Sequence, residues 1–180
     1  MSSLALLRTL FSYRAWAHDE LLDRMESLDP ELHREERHAA LRLIHHCHVV
    51  DRIFAAHLVG AEHGFSTDSP QETPTLAELR QAVTESDRWY REYLDTATPD
   101  LLAASVPFTF TDGDKGCMSR EEMLTHLVLH GGYHRGEVGR VMAQVSVSPP
   151  WDTFAVYLHK TDPSRRLQSR TDAGERLLSA

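Results

Sequence analysis

The sequence predicts an all-α fold: a four-helix bundle with a long crossover before the last bundle helix and a short C-terminal helix. Three observations carry this. Apolar residues recur at three- and four-residue spacing over four long stretches, the pattern of amphipathic helices. Two of those stretches open on capping boxes, Thr75 with Glu78 and Ser119 with Glu122, which fix where a helix begins. The one alternating segment, "SVPFTFTDGDKGCMS", is too short to build a sheet-based core.

Each element follows from its residues. Leu4, Leu7, Leu10, Phe11, Ala15, Leu21, Leu22 and Met25 mark a first helix over 4–28, stopped by Asp29 and Pro30. A second run extends from about His38 to Gly60, and "GAEHGFSTDSPQETP" after it has loop composition. The third helix starts at the Thr75 cap and continues to about Thr96. Between Pro99 and Ser119 the alternating segment, with its Asp-Gly turn, predicts a short hairpin or an irregular crossover. The fourth helix opens at Ser119 and runs to about Val145, ahead of "SPP", and "WDTFAVYLH" suggests a shorter fifth. Residues 1–160 are expected to form one bundle domain and 161–180 a polar, charged tail.

Composition bounds the function. A chain of 180 residues with 41% hydrophobic residues is long enough for one sizeable core. Its formal net charge of −8 removes the electrostatic attraction that sustains most nucleic-acid binding. Two cysteines, Cys47 and Cys117, do not read as a disulfide framework. The opening "MSSLALLRTLFSYRAW" carries Arg8 within its apolar pattern and reads as helix rather than leader, and no apolar run is long enough to cross a bilayer. A cytoplasmic protein acting on a small molecule, with neither nucleic acid nor membrane as partner, is the expectation.

The 12 histidines are the unusual feature. In "HLVLHGGYHRGE", residues 126–137, three of them recur every fourth residue, so they fall near one side of a helix. Wheel arithmetic puts His130 and His134 on the face of Met123, Leu127, Val141 and Val145, inside the apolar stripe. Two imidazoles buried there without partners would cost about 1–3 kcal/mol each, whereas one metal ion takes both lone pairs. His126 lies at the edge of that face, so spacing alone allows either His126 with His130 or His130 with His134. On the second helix His46 shares the apolar side with Leu43, Cys47, Val50, Phe54, His57 and Ala61, while His45 and His48 point towards solvent or a helix contact. His57 is about 16 Å along the axis from His46, too far to share an ion. Cys47 reads as a small buried hydrophobe. His46, His130 and His134 together make a three-imidazole site with a position left open for water or substrate, the arrangement of a catalytic metal.

Taken in order, "YRAWAHDELL", "HHCHVVDRIFAAHL", "HGGYHRGEV" and "PPWDTFAVYL" resemble the DinB family of metal-binding four-helix bundles over roughly residues 4–159. The resemblance implies metal ligation by His46, His130 and His134, a homodimer, and relatives that act as thiol-dependent S-transferases or isomerases with low-molecular-weight thiols. Glu137 stands where that family typically has Gln, and His18 where it typically has Asn. Glu137 is a candidate catalytic residue, as acceptor for an imidazole N–H or as proton acceptor near the metal. Arg135 is expected to pair with a carboxylate such as Asp51, and Gly131, Gly132 and Gly136 to permit close helix approach.

The expected activity is therefore that of a divalent-metal protein, with Zn²⁺ the expected ion and Ni²⁺ an alternative, activating a low-molecular-weight thiol for transfer. A metal-dependent hydrolase and a non-catalytic metal-binding stress-response dimer are the rival readings. The non-catalytic one predicts a filled coordination sphere, completed by His18 or Glu137.

Overall fold

The structure, a computed structural model, describes residues 2–167. In chain order it comprises α1 (Ser3–Met25), α2 (Arg34–Val59), α3 (Leu76–Thr96), α4 (Pro99–Ala103), β1 (Ser105–Thr109), β2 (Lys115–Ser119), α5 (Arg120–Gln144) and α6 (Phe154–Thr161), with a 3₁₀ turn at Pro163–Arg165. The fold is all-α, as predicted: α1, α2, α3 and α5 form the bundle, and the two strands make only a hairpin. None of the described helices is long and apolar enough to cross a membrane.

Two compact units are distinguished, Met1–Pro150 and Trp151–Ala180. The first holds the bundle. The second contains α6, which opens on the Thr153 side chain accepting from Val156 N–H, and the 3₁₀ turn. Most of the polar tail expected over 161–180 lies outside the described residues.

Helix ends follow local chemistry. Both predicted capping boxes form: Thr75 and Ser119 accept from the amides of Glu78 and Glu122, whose carboxylates reach back to the cap amides. The first helix ends at Met25 rather than Leu28. Leu28 is fully buried in the turn that follows, so apolar periodicity outlasts the helix, and Pro30 holds Asp29 out of helical geometry. The second starts at Arg34, four residues earlier than its apolar pattern, because Arg34 to Arg37 are polar; Glu35 and Glu36 in its first turn complement the helix dipole. It stops at Gly60 with φ +70°, a left-handed conformation that glycine adopts freely. The short α4 was not anticipated, although Thr98 as cap and Pro99 at the first helical position are its signal.

The crossover is a hairpin. Ser105 pairs with Ser119 and Thr109 with Lys115, and Gly113 at φ +96° completes the turn. Val106 and Phe108 are buried while their neighbours in β1 are exposed, so one face of the strand closes over the bundle.

The interior is divided by a polar layer. One apolar cluster contains Leu7, Phe11, Phe54, Tyr90, Leu94, Phe108 and Leu127. A second contains Leu21, Leu22, Met25, Ile44, Leu79, Val83, Val138 and Met142. In sequence, Arg14 and His18 of α1, Asp87 of α3 and Arg135 of α5 fall between the two groups, while Asp51 of α2 directly follows Val50 of the first; all five are buried. Arg14 bridges two helices, donating Nη1–H to Asp51 at 2.9 Å and Nη2–H to Asp87 at 3.0 Å. His18 Nδ1 lies 2.7 Å from the other Asp87 oxygen. Burial would raise the Asp87 carboxyl, but His18, Arg14 and their hydrogen bonds outweigh it and hold the group well below the usual carboxylate range.

Asp51 is held by Arg14, and the Arg135 guanidinium carbon lies 5.6 Å from the centre of the Tyr13 ring. One expectation is corrected here. The glycines of α5 do not mark a close helix approach: a Cβ at Gly131 would meet Arg135 Nη1 at 3.3 Å, and one at Gly136 would meet nothing within 4 Å. The bare Cα of Gly131 makes room for a guanidinium of its own helix.

Candidate metal centre

His130 and His134 are not at the middle of the buried stripe of α5. That stripe is Met123, Leu124, Leu127, Gly131, Arg135, Val138 and Met142, one position round from the predicted face, because Arg135 rather than His134 turns inward. Both histidines are half-buried on its flank. On α2 the buried set likewise runs through Ile44, Cys47, Val50, Asp51, Phe54 and Leu58, leaving His46 half-buried at its margin. Two flanks face each other across a cleft, so the imidazoles meet where solvent can reach them.

The three meet at their Nε2 atoms. His46 Nε2 is 3.1 Å from His130 Nε2, and His134 Nε2 is 3.2 Å from the same atom. Among the described residues, His46, His130 and His134 form the one group of three or more His, Cys, Asp or Glu whose ligand atoms all lie within 4.8 Å of one another. A tetrahedral ion with N distances of about 2.0–2.1 Å needs donor pairs roughly 3.3 Å apart, close to the spacing found.

The outer nitrogens decide what the inner ones carry. His46 Nδ1 is 2.9 Å from the Asp68 carbonyl oxygen, which can only accept, so Nδ1 bears the proton and donates; Ser69 Oγ is beside it at 3.2 Å. His134 Nδ1 donates to Glu137 Oε2 at 2.7 Å. In the neutral form of each ring Nε2 is then a bare lone pair. His130 Nε2 faces the two of them and has at most one hydrogen to offer. A cation at the centre satisfies all three at once.

The protonation of the site suits that cation. Burial, reinforced by the adjacent His134 and His46, pushes the His130 imidazole down to about 4, so the ring is neutral at neutral pH, the form that ligates metals. Cys47 is buried and takes no part: desolvation, with Asp51 adding to it, pushes its thiol up to about 12.

The other candidates separate clearly. His126 stacks on His130 with ring centres 5.3 Å apart and packs on Phe54 at 5.0 Å; it is outside the ligand group, which resolves the choice that spacing left open. His18 is committed to Asp87 in the polar layer and is also outside the group. Glu137 bonds the outer nitrogen of His134, the first of the two arrangements expected of it. His48 is at a helix contact, beside Ser86 of α3 at 3.2 Å, and desolvation pushes it down to about 4. His57 is half-buried between Phe54 and Phe108, at ring-centre distances of 6.0 and 5.0 Å.

Sequence reasoning missed what surrounds the three rings. The loop after α2 supplies the Asp68 carbonyl that orients His46, a backbone contact for which no side-chain pattern exists. A cavity of about 360 Å³ opens from His46 and His130 and is walled by Val50, Ile53, Phe54, Phe108, Phe110 and Met118, with His57, His126, Asp68 and Thr111 completing it. A smaller one of about 270 Å³ lies against His46 and His134 and includes Arg42, His45 and Ser69.

The profile described as DinB family matches residues 1–171. The chain is also 24% identical over 163 residues to the protein described as Protein DinB from Bacillus subtilis (strain 168), covering 84% of this chain and 93% of that protein.

Proposed function

The chain belongs to the DinB family, and on that premise we propose that it is a metal-dependent transferase acting through a low-molecular-weight thiol at His46, His130 and His134, with Zn²⁺ as the ion. The observation that carries the reading is the hydrogen-bond parity at the cleft: two bare lone pairs converge on a third imidazole nitrogen at 3.1 and 3.2 Å. A cationic Lewis acid is what such a set of donors is built to hold.

When bound there, a divalent ion supplies a lowered pKa to a thiol or water beside it. The residues do the rest. His46 and His134 are oriented by Asp68 and Glu137, so their lone pairs point inward without induced rearrangement. Three neutral imidazoles leave the ion's charge undiminished, which favours the thiolate form of a substrate. Glu137 acts through His134, raising the basicity of that ring, and is a positioning residue in this reading. Neither His18 nor the Glu137 oxygen bonded to His134 completes the ligand set, which supports an open coordination position over a purely structural ion. Under the same proposal the protein works in the cytoplasm as a homodimer, which sedimentation velocity checks.

The test is metal content of untagged protein. Near-stoichiometric zinc is expected in wild type and in His126→Ala, and loss of it in His46→Ala, His130→Ala and His134→Ala. Transfer of a small thiol to an alkylating electrophile is then followed; turnover of esters or amides without thiol would select the hydrolase instead. Wild type that can be loaded with no divalent metal ends the proposal.

A further inference from the structure

The cavity beside the three imidazoles has a chemistry of its own. Its volume is about 360 Å³, against roughly 150 Å³ for a protein cavity that accepts benzene, so a phenyl group and its linker fit. Its walls are largely rings in mutual contact: Phe110 to Phe108 at 4.8 Å, Phe108 to Phe54 at 6.0 Å, Phe54 to His126 at 5.0 Å. Among the described residues no lysine or arginine lines it, and its one carboxylate is the exposed Asp68. An anionic group would enter against that charge and find no cation inside. Arg42 belongs to the cavity on the other side, against His134.

The hairpin builds this wall deliberately. Gly116 stands opposite Phe108 in the strand register, and a Cβ on it would come within 2.8 Å of the Phe108 ring and 2.9 Å of the Phe110 ring. Both rings lie across a bare Cα, held at an angle that any side chain there would prevent. Phe110 is half exposed, which leaves part of its ring surface open to an incoming group.

We propose that this cavity is the subsite for an uncharged aromatic or bulky alkyl group of the substrate, with Phe108, Phe110 and Met118 of the hairpin setting the selectivity. The proposal rests on the metal and thiol reading above for its place in a reaction, but the cavity can be probed without it.

Two thiols of similar acidity, phenylethanethiol and mercaptopropionate, are titrated into cobalt-loaded protein and followed by the thiolate charge-transfer band. Burial of a phenyl ring favours the first by at least about tenfold in Kd. Phe110→Ala, at a half-exposed position that does not threaten the fold, reduces that preference at least about threefold, and Thr111→Arg at the cavity wall shifts it towards mercaptopropionate. Equal affinities for the two thiols in protein that has bound cobalt overturn the subsite while leaving the metal site standing. Protein that binds no cobalt defeats the metal reading instead, and the subsite is then decided on metal-free protein with the oxygen analogues. Phenylethanol is expected to give a saturable NMR shift of the Met118 methyl and hydroxypropionate none. Absence of the phenylethanol shift overturns the proposal whatever the metal result.

Discussion

Removing the acceptor behind His134 isolates the contribution of a single hydrogen bond to the metal centre. Glu137 Oε2 is 2.7 Å from His134 Nδ1, with side-chain exposures of 31% and 15%. A hydrogen bond to a charged group is worth about 1.5–3 kcal/mol when sheltered. The exposure of Glu137 places it towards the lower part of that range, so Glu137→Leu is expected to weaken zinc binding by about 1.5–2 kcal/mol, or roughly 10- to 30-fold. Glu137→Gln keeps a carbonyl able to accept from Nδ1 and should recover part of the loss, which separates hydrogen bonding from charge. The assay is competition with a chromophoric chelator at fixed pH and ionic strength, alongside thermal melts in EDTA to show that the metal-free fold is unchanged. A Glu137→Leu protein that holds zinc within threefold of wild type would refute the view that this carboxylate orients the ligand.

Asp87→Ala leaves His18 and one side of the Arg14 guanidinium without their buried partner; urea denaturation should show a loss of about 3–5 kcal/mol. Burial pushes the His48 imidazole down to about 4 in the fold, against about 6.5 for an exposed histidine. The unfolded chain therefore gains a proton that the native state refuses as pH falls from about 6.5 to about 4. The stability associated with His48 is complete above that window and falls through it by up to about 3 kcal/mol; in His48→Gln the pH dependence of the denaturation midpoint should flatten by that amount. Gly116→Ala forces Phe108 and Phe110 aside and is expected to cost about 1–3 kcal/mol in stability, with phenylethanethiol binding weakened as well.

The parts of this protein that depend on neighbours along the chain were legible without coordinates. Capping boxes at Thr75 and Ser119 act over three residues, so both helix starts were read correctly. His130 and His134 are one helical turn apart, and the lateral position of His46 on α2 follows from the same periodicity; the three do converge. Where the reading slipped, it was on which residue of a helix faces the core. Hydropathy placed His134 inward and Arg135 on the flank, but an arginine can be buried once Gly131 gives its guanidinium room and a ring lies beneath it.

What the sequence alone determined is therefore the inventory: four amphipathic helices, a short alternating crossover, and three imidazoles at spacings that admit one ion. Tertiary structure decided how those imidazoles are used. The contact from Asp68 to His46 spans 22 residues and that from His46 to His130 spans 84, and the hairpin sets β1 against α2 and β2 against α5. Such contacts depend on the angle and rotation at which separate helices pack. These are set by the summed burial of many side chains, and no periodicity within one segment encodes them.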